Sequence, residues 1–181
     1  MGKTILVLTG SPREGGNSDQ LAEAFIRGAC GAGNSVLRYN AARKQIGPCI
    51  GCQSCAGGNG DCVAKDDYAE LVDYLRRADA IAIFTPIYWL SWPAGLKAAI
   101  DRFYSFYCSE TQTRVKESIM VVCGEAADLS FYDPMVKTYE MTADLMHWEN
   151  KGHIIVPSVG EPGAVQQTPA IAGMEKIGTY F

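Results

Sequence analysis

Between residues 80 and 84 the chain reads Ala-Ile-Ala-Ile-Phe, apolar at every position, and the run stops at Thr85-Pro86. A strand with no polar side is buried on both faces, as in a parallel sheet covered by helices. Parallel strands cannot be joined by tight turns, so each needs a crossover, usually a helix. The rest of the sequence supplies strands and helices in alternation. Strands are expected at Ile5–Leu8, Ser35–Tyr39, Ala80–Phe84, Ser118–Cys123 and His153–Val156. Helices are expected from about Asn17 to Cys30, Asp67 to Arg77, Pro93 to Phe106 and Pro134 to Trp148. In the second of these Leu71, Leu75 and Ala78 recur at helical spacing, and Pro93 suits the first turn of the third. The pattern predicts an α/β fold, a doubly wound five-stranded parallel sheet with helices on both faces. With 181 residues, 48% of them hydrophobic, the chain has the size and apolar content of one domain, residues 1–181, interrupted by a cysteine-rich loop at 47–63.

Several classes of function are disfavoured by composition. The formal charge is −4, and lysine and arginine are scattered without a basic run, so no nucleic-acid partner is expected. The first apolar run is four residues long, too short for a signal-peptide core, and no apolar stretch reaches membrane-spanning length. A cytoplasmic protein is the expectation. In that setting seven cysteines argue for metal, redox chemistry or burial rather than a disulfide framework.

In a doubly wound sheet, ligands sit outside the C-terminal strand ends where strand order reverses. Three loops qualify: Gly10 to Ser18, Thr85 to Trp92, and Gly124 to Leu129. The first, Gly-Ser-Pro-Arg-Glu-Gly-Gly-Asn-Ser, gathers hydroxyls, flexible backbone and an arginine where a helix N-terminus favours an anion. It lacks the lysine-hydroxyl pair of a nucleoside-triphosphate loop and the Gly-x-Gly-x-x-Gly of a dinucleotide loop. A single phosphate monoester remains, held by Ser11, Ser18 and the backbone of Asn17, with Arg13 at the rim. Asn17 also reads as the N-cap, with Gln20 as its capping-box partner. The alternative is a well-capped turn that holds no ligand.

The second loop, Thr85-Pro86-Ile87-Tyr88-Trp89-Leu90-Ser91-Trp92-Pro93, suits a planar ring system, with rigid backbone from the prolines and an aromatic face from Tyr88 or Trp89. Trp92 reads as a packing residue. Between them in sequence, Cys49, Cys52, Cys55 and Cys62 form C-x2-C-x2-C-x6-C, with Gly51, Gly57, Gly58 and Gly60 supplying bends. Such compact spacing suits a cubane iron–sulfur cluster; zinc and free or partly oxidised thiols are the alternatives. Cys30 and Cys108 read as small buried hydrophobes, and His147 and His153 lack metal-ligand spacing.

Taken together, Gly10-Ser11-Pro12-Arg13 with Gly16-Asn17-Ser18, Pro48-Cys49-Ile50-Gly51-Cys52, Lys65-Asp66-Asp67, Thr85-Pro86-Ile87-Tyr88 and Leu96 to Arg102 resemble the flavodoxin-like NAD(P)H-dependent FMN reductases, including the iron–sulfur flavoproteins. The resemblance implies a flavodoxin-like sheet and an oxidoreductase passing electrons from NAD(P)H to a quinone, a flavin or a ferredoxin-type protein. It implies that Ser11, Arg13, Asn17 and Ser18 hold the FMN phosphate, and that Pro86, Ile87, Tyr88 and Trp89 line the isoalloxazine. Gly124 stands in the third family loop, whose usual Thr and Gly are here Cys123-Gly124-Glu125-Ala126. The four cysteines match the family's 4Fe-4S motif, and a homodimer or tetramer is expected. A flavodoxin-like electron carrier and a flavin-free cysteine-based redox or metal sensor are the rival readings.

Overall fold

The structure is a computed structural model and describes residues 2–181. Five parallel strands, β1 (Thr4–Thr9), β2 (Ser35–Asn40), β3 (Ala80–Pro86), β4 (Glu117–Cys123) and β5 (Glu149–Val156), form one sheet in the order β2-β1-β3-β4-β5. The order reverses between β1 and β3, which sets their C-terminal ends side by side as the switch point. Among the described residues six α-helices flank the sheet: α1 (Asn17–Gly31), α2 (Tyr68–Arg77), α3 (Ala94–Asp101), α4 (Tyr104–Cys108), α5 (Asp133–Leu145) and α6 (Ala170–Tyr180). The fold is flavodoxin-like, as expected. Among the described residues no helix is long and apolar enough to cross a membrane.

Alternating side chains of the central strands feed two cores. Leu6, Leu8, Ile81, Ile83, Met120 and Val122 pack with α2, α3 and α5 on one face. Ile5, Val7, Ala82, Phe84 and Val121 pack with α1 and α6 on the other, where the Phe25 and Phe84 rings lie 5.4 Å apart. The two helices of that second face touch through glycine. A Cβ on Gly28 would stand 1.9 Å from the Glu175 carbonyl oxygen, and one on Gly178 would stand 2.1 Å from that of Phe25. No side chain fits between these backbones.

Four expectations need correction. The helix expected over Pro93–Phe106 is two helices, because the Tyr68 hydroxyl takes up the Arg102 carbonyl at 2.7 Å and the chain tightens there, Arg102 and Phe103 bonding back only three residues. The helix expected to reach Trp148 ends at Leu145, since His147 turns the chain at φ 57°. The last strand starts at Glu149 rather than His153, with a register shift against Ser118–Met120. α6 has no counterpart among the expected elements.

Candidate functional site

At the switch point β1 ends in Thr9, and Gly10 N–H continues the ladder to β3, donating to the Phe84 carbonyl at 2.9 Å. Glycine is required there because a Cβ would lie 2.4 Å from Leu96. The loop then turns back under its own hydroxyl: Ser11 Oγ accepts from Arg13 N–H and donates to the Arg13 carbonyl, both at 3.1 Å. Gly15, at φ 64°, leads into α1, whose cap position is Gly16 and carries no side-chain cap. The first N–H groups of α1, at Asn17 and Ser18, therefore have no intrahelical acceptor and face the loop. A helix start of this kind favours an anion, which makes the loop a candidate cradle.

The N-cap assigned to Asn17 is not realised. Its amide reaches the chain after β5 instead, Nδ2 donating to the carbonyls of Val159 (2.9 Å) and Glu161 (2.8 Å) and Oδ1 accepting from Val165 N–H (3.3 Å). Gln20 likewise bonds the Gly15 carbonyl at 2.8 Å rather than completing a capping box. Asp19 lies beneath the loop, accepting from Gly15 N–H at 3.2 Å and paired with Arg43 at 3.1 Å. Burial pushes its carboxyl up, against the opposing pull of Arg38 and Arg43.

One cavity of about 400 Å³ joins this cradle to the neighbouring strand ends. Of the nine residues expected at a ligand, Ser11, Arg13, Asn17, Ser18, Pro86, Ile87, Tyr88 and Gly124 line it. Trp89 does not, and is 97% exposed. The two backbone donors of the Pro86–Tyr88 wall are already engaged, Ile87 N–H with the Cys123 carbonyl at 2.8 Å and Tyr88 N–H with the Ser91 carbonyl at 2.9 Å, so its backbone offers packing rather than hydrogen bonds. Trp89 and Leu90, at φ 45° and 65°, form the tight turn that Tyr88 and Ser91 close. Trp92 is buried, as read from the sequence.

Gly124 is forced by packing, since a Cβ would meet Ile87 at 2.4 Å and the Tyr132 hydroxyl at 2.9 Å. Cys123 beside it is buried, which pushes its thiol up to about 12 and keeps it protonated. The far wall was missed. Val159, Gly160 and Pro162 complete the cavity from the segment after β5, held there by Asn17 and by Val159 N–H on the Gly124 carbonyl at 2.8 Å. The rule that ligands sit at C-terminal strand ends applies to β5 as well and was the available signal.

The cysteine loop leaves the same edge of the sheet beyond β2. Its neck is closed by Asp67, which accepts from Gln45 N–H at 2.7 Å, and by Asp66, which accepts from Gly47 N–H at 2.9 Å. Asp66 also holds Arg102 Nη1 at 2.5 Å, while the guanidinium stacks 4.3 Å from the Tyr68 ring. Burial works against the Asp66 carboxylate, but Arg102 and the N–H groups of Gly47 and Tyr68 (the latter at 3.1 Å) outweigh it and hold it below the usual range. Cys49, Cys52, Cys55 and Cys62 all line one small pocket, which Arg102 and Tyr104 share. Arg102 is 2% exposed there, and its Nε has no partner. Among the described residues no three His, Cys, Asp or Glu side chains come close enough to share one metal ion. A single zinc with bonds of about 2.3 Å needs thiolates about 3.8 Å apart. A cubane binds its thiolates on four separate irons and spaces them wider, so the one-ion spacing is not the spacing it requires.

Two cysteines differ from expectation. Cys30 is exposed rather than buried. Cys108 is half-buried, with its sulfur 3.1 Å from that of Cys55. Burial and this neighbour push the Cys55 thiol up to about 11.

Residues 4–129, from β1 past the third strand-end loop, match the family profile described as NADPH-dependent FMN reductase. The chain belongs to this reductase family. An iron-sulfur flavoprotein of Methanosarcina thermophila is 33% identical over 176 residues, covering 96% of the chain and 88% of that protein. Another, from Archaeoglobus fulgidus, is 32% identical over 99 residues, which is 55% of the chain but only 44% of the longer protein. In fold, the chain superposes on the NAD(P)H:quinone oxidoreductase from Methanothermobacter marburgensis with a TM-score of 0.80 at 18% identity, covering 99% of the chain and 96% of the other. The reductase-family match includes the cradle, the Pro86–Tyr88 wall and the cysteine loop. Val159, Gly160, Pro162 and α6 lie beyond it.

Proposed function

We propose that the chain binds FMN in the cavity at the switch point and passes electrons from NAD(P)H, through a 4Fe-4S cluster on Cys49, Cys52, Cys55 and Cys62, to a one-electron protein acceptor of the ferredoxin type. The observation that carries the flavin reading is the single cavity joining an uncapped helix N-terminus to an apolar wall of Pro86, Ile87 and Tyr88. Its volume lies within the range of small-ligand sites, about 300–1,000 Å³. The cluster reading is supported by the all-thiol donor set and by the iron-sulfur flavoprotein relatives.

The residues divide the work. The N–H groups of Asn17 and Ser18 and the Ser18 hydroxyl hold the phosphate, the Ser11 hydroxyl joins them by turning its proton away from the Arg13 carbonyl, and Arg13 adds charge from the rim. Pro86, Ile87 and Tyr88 pack one side of the ring system, and Gly124 lets the third loop approach it. Bound FMN supplies the redox chemistry, taking a hydride from the nicotinamide and releasing electrons singly or in pairs. No side-chain acid or base is needed, which agrees with a Cys123 thiol kept protonated by burial. Arg102 spends its charge on Asp66, but its unpartnered Nε–H would be free to donate a hydrogen bond into the four-thiol pocket.

The test is the absorption spectrum of anaerobically purified protein together with its iron and acid-labile sulfide. Flavin bands with about four irons per chain support both halves of the reading. Flavin without iron leaves an FMN reductase whose acceptor is a quinone or a free flavin. Flavin with no NAD(P)H oxidation makes it an electron carrier, and a colourless protein overturns the proposal. Ser11→Asp sets a carboxylate against the phosphate and is expected to abolish FMN retention in a fluorescence titration.

A further inference from the structure

The four-thiol pocket has a fifth cysteine at its edge. Cys108 ends α4, and α4 grips the cysteine loop at two points besides the 3.1 Å approach of Cys108 to Cys55. Ser105 Oγ donates to the Gly60 carbonyl at 2.6 Å, and Tyr104 Oη to Gln53 Oε1 at 3.3 Å. Gly60, at φ 91°, presses so closely on Phe106 that a Cβ would stand 2.7 Å from the ring. Two sulfurs 53 residues apart in sequence are thus held together by contacts on both sides of them. They also face different spaces. Cys55 lines the four-thiol pocket, whereas Cys108 lines an open cavity of about 590 Å³ with Tyr107, Glu110 and His147. A small oxidant entering that cavity meets Cys108 first.

We propose that Cys55 and Cys108 are a redox pair, joined by a hydroperoxide into a reversible disulfide when no cluster fills the pocket, so that Cys55 is withdrawn from the four-thiol set. The sulfurs need to close to about 2.05 Å, a shift of about 1 Å. One thiol, as thiolate, attacks the peroxide O–O bond, becomes a sulfenic acid and releases water. The second thiol then attacks that sulfur and expels a second water. Two thiols and one hydrogen peroxide give one disulfide and two waters; sulfur is oxidised and peroxide oxygen reduced. Three cysteines remain, one short of a cubane's ligands. The consequence for the cluster rests on the function proposed above; the cross-link does not.

Full-length protein is treated with hydrogen peroxide, alkylated under denaturing conditions, digested and mapped by mass spectrometry. The expected result is a dominant peptide joining Cys55 to Cys108 that dithiothreitol separates. Iron and sulfide uptake by the oxidised protein is expected to be lost and restored by the same reductant. Cys108→Ser is expected to take up iron and sulfide as the parent does and to yield no such peptide. Alkylated Cys108 after peroxide, or disulfides confined to residues 49–62, overturns the pair. Equal uptake before and after oxidation, with the cross-link present, overturns its effect on the pocket. A protein that never takes up iron defeats the cluster reading, while the peptide map still decides the cross-link.

Discussion

Asn17 serves the cradle from behind. Its backbone opens α1 at the cavity, while its amide fastens residues 159–165 against the loop with three hydrogen bonds. Asn17→Ala leaves two carbonyls and an N–H without partners at a part-buried position, which costs about 1–3 kcal/mol of stability by urea unfolding. The same variant is expected to release flavin faster, because the far wall loosens. Asp66 makes the comparable link for the cysteine loop. Its carboxyl is held low in the folded chain, so the unfolded state binds the proton first as pH falls. The stability it adds is therefore complete above the unfolded value of about 3.9 and is lost as pH drops through the lower folded value. The stability difference between the parent and Asp66→Asn is expected to be constant from pH 5 to 7 and to shrink below about pH 3.9 in chemical denaturation.

At the scale of elements, the tight turn at Trp89-Leu90 carries a local conflict. Both residues occupy the left-handed region that such a two-residue turn reserves for Asn-Gly. Replacing the pair by Asn-Gly is expected to stabilise the chain by about 1–2 kcal/mol and raise the calorimetric Tm by about 2–8 °C. The same turn leaves Trp89 almost wholly exposed rather than packed. The central strands and the cradle were legible because each is written in consecutive residues: an apolar run, then hydroxyls and glycines. α6 was not, because its partner is the backbone of α1 and the determinants are two glycines 150 residues apart, Gly28 and Gly178. The same reason hides the Val159–Pro162 wall and the place of Cys108 at Cys55. Local pattern reports burial and turns; it does not report which distant segment is touched. Gly28→Ala pushes a methyl into the Glu175 carbonyl and is expected to cost about 1–3 kcal/mol or more in denaturant unfolding.

Across the whole molecule, every segment that lines the two candidate sites leaves the C-terminal edge of the sheet or is pinned to one that does. Removing residues 170–181 strips α6 from Leu21, Phe25 and Val165 and exposes that face of α1. The shortened chain is expected to lose cooperative unfolding and flavin retention together, measured by thermal denaturation and absorbance. The clasp of Asn17 on Val165, spanning 148 positions, also orders events in time. A ribosome adding about 5–20 residues each second needs roughly 7–30 s to travel from one to the other. Throughout that interval the nascent loop already displays its serines and glycines, yet the wall that closes around a ligand has not been made. Closure of the proposed flavin cavity is thereby deferred until residue 165 has left the ribosome.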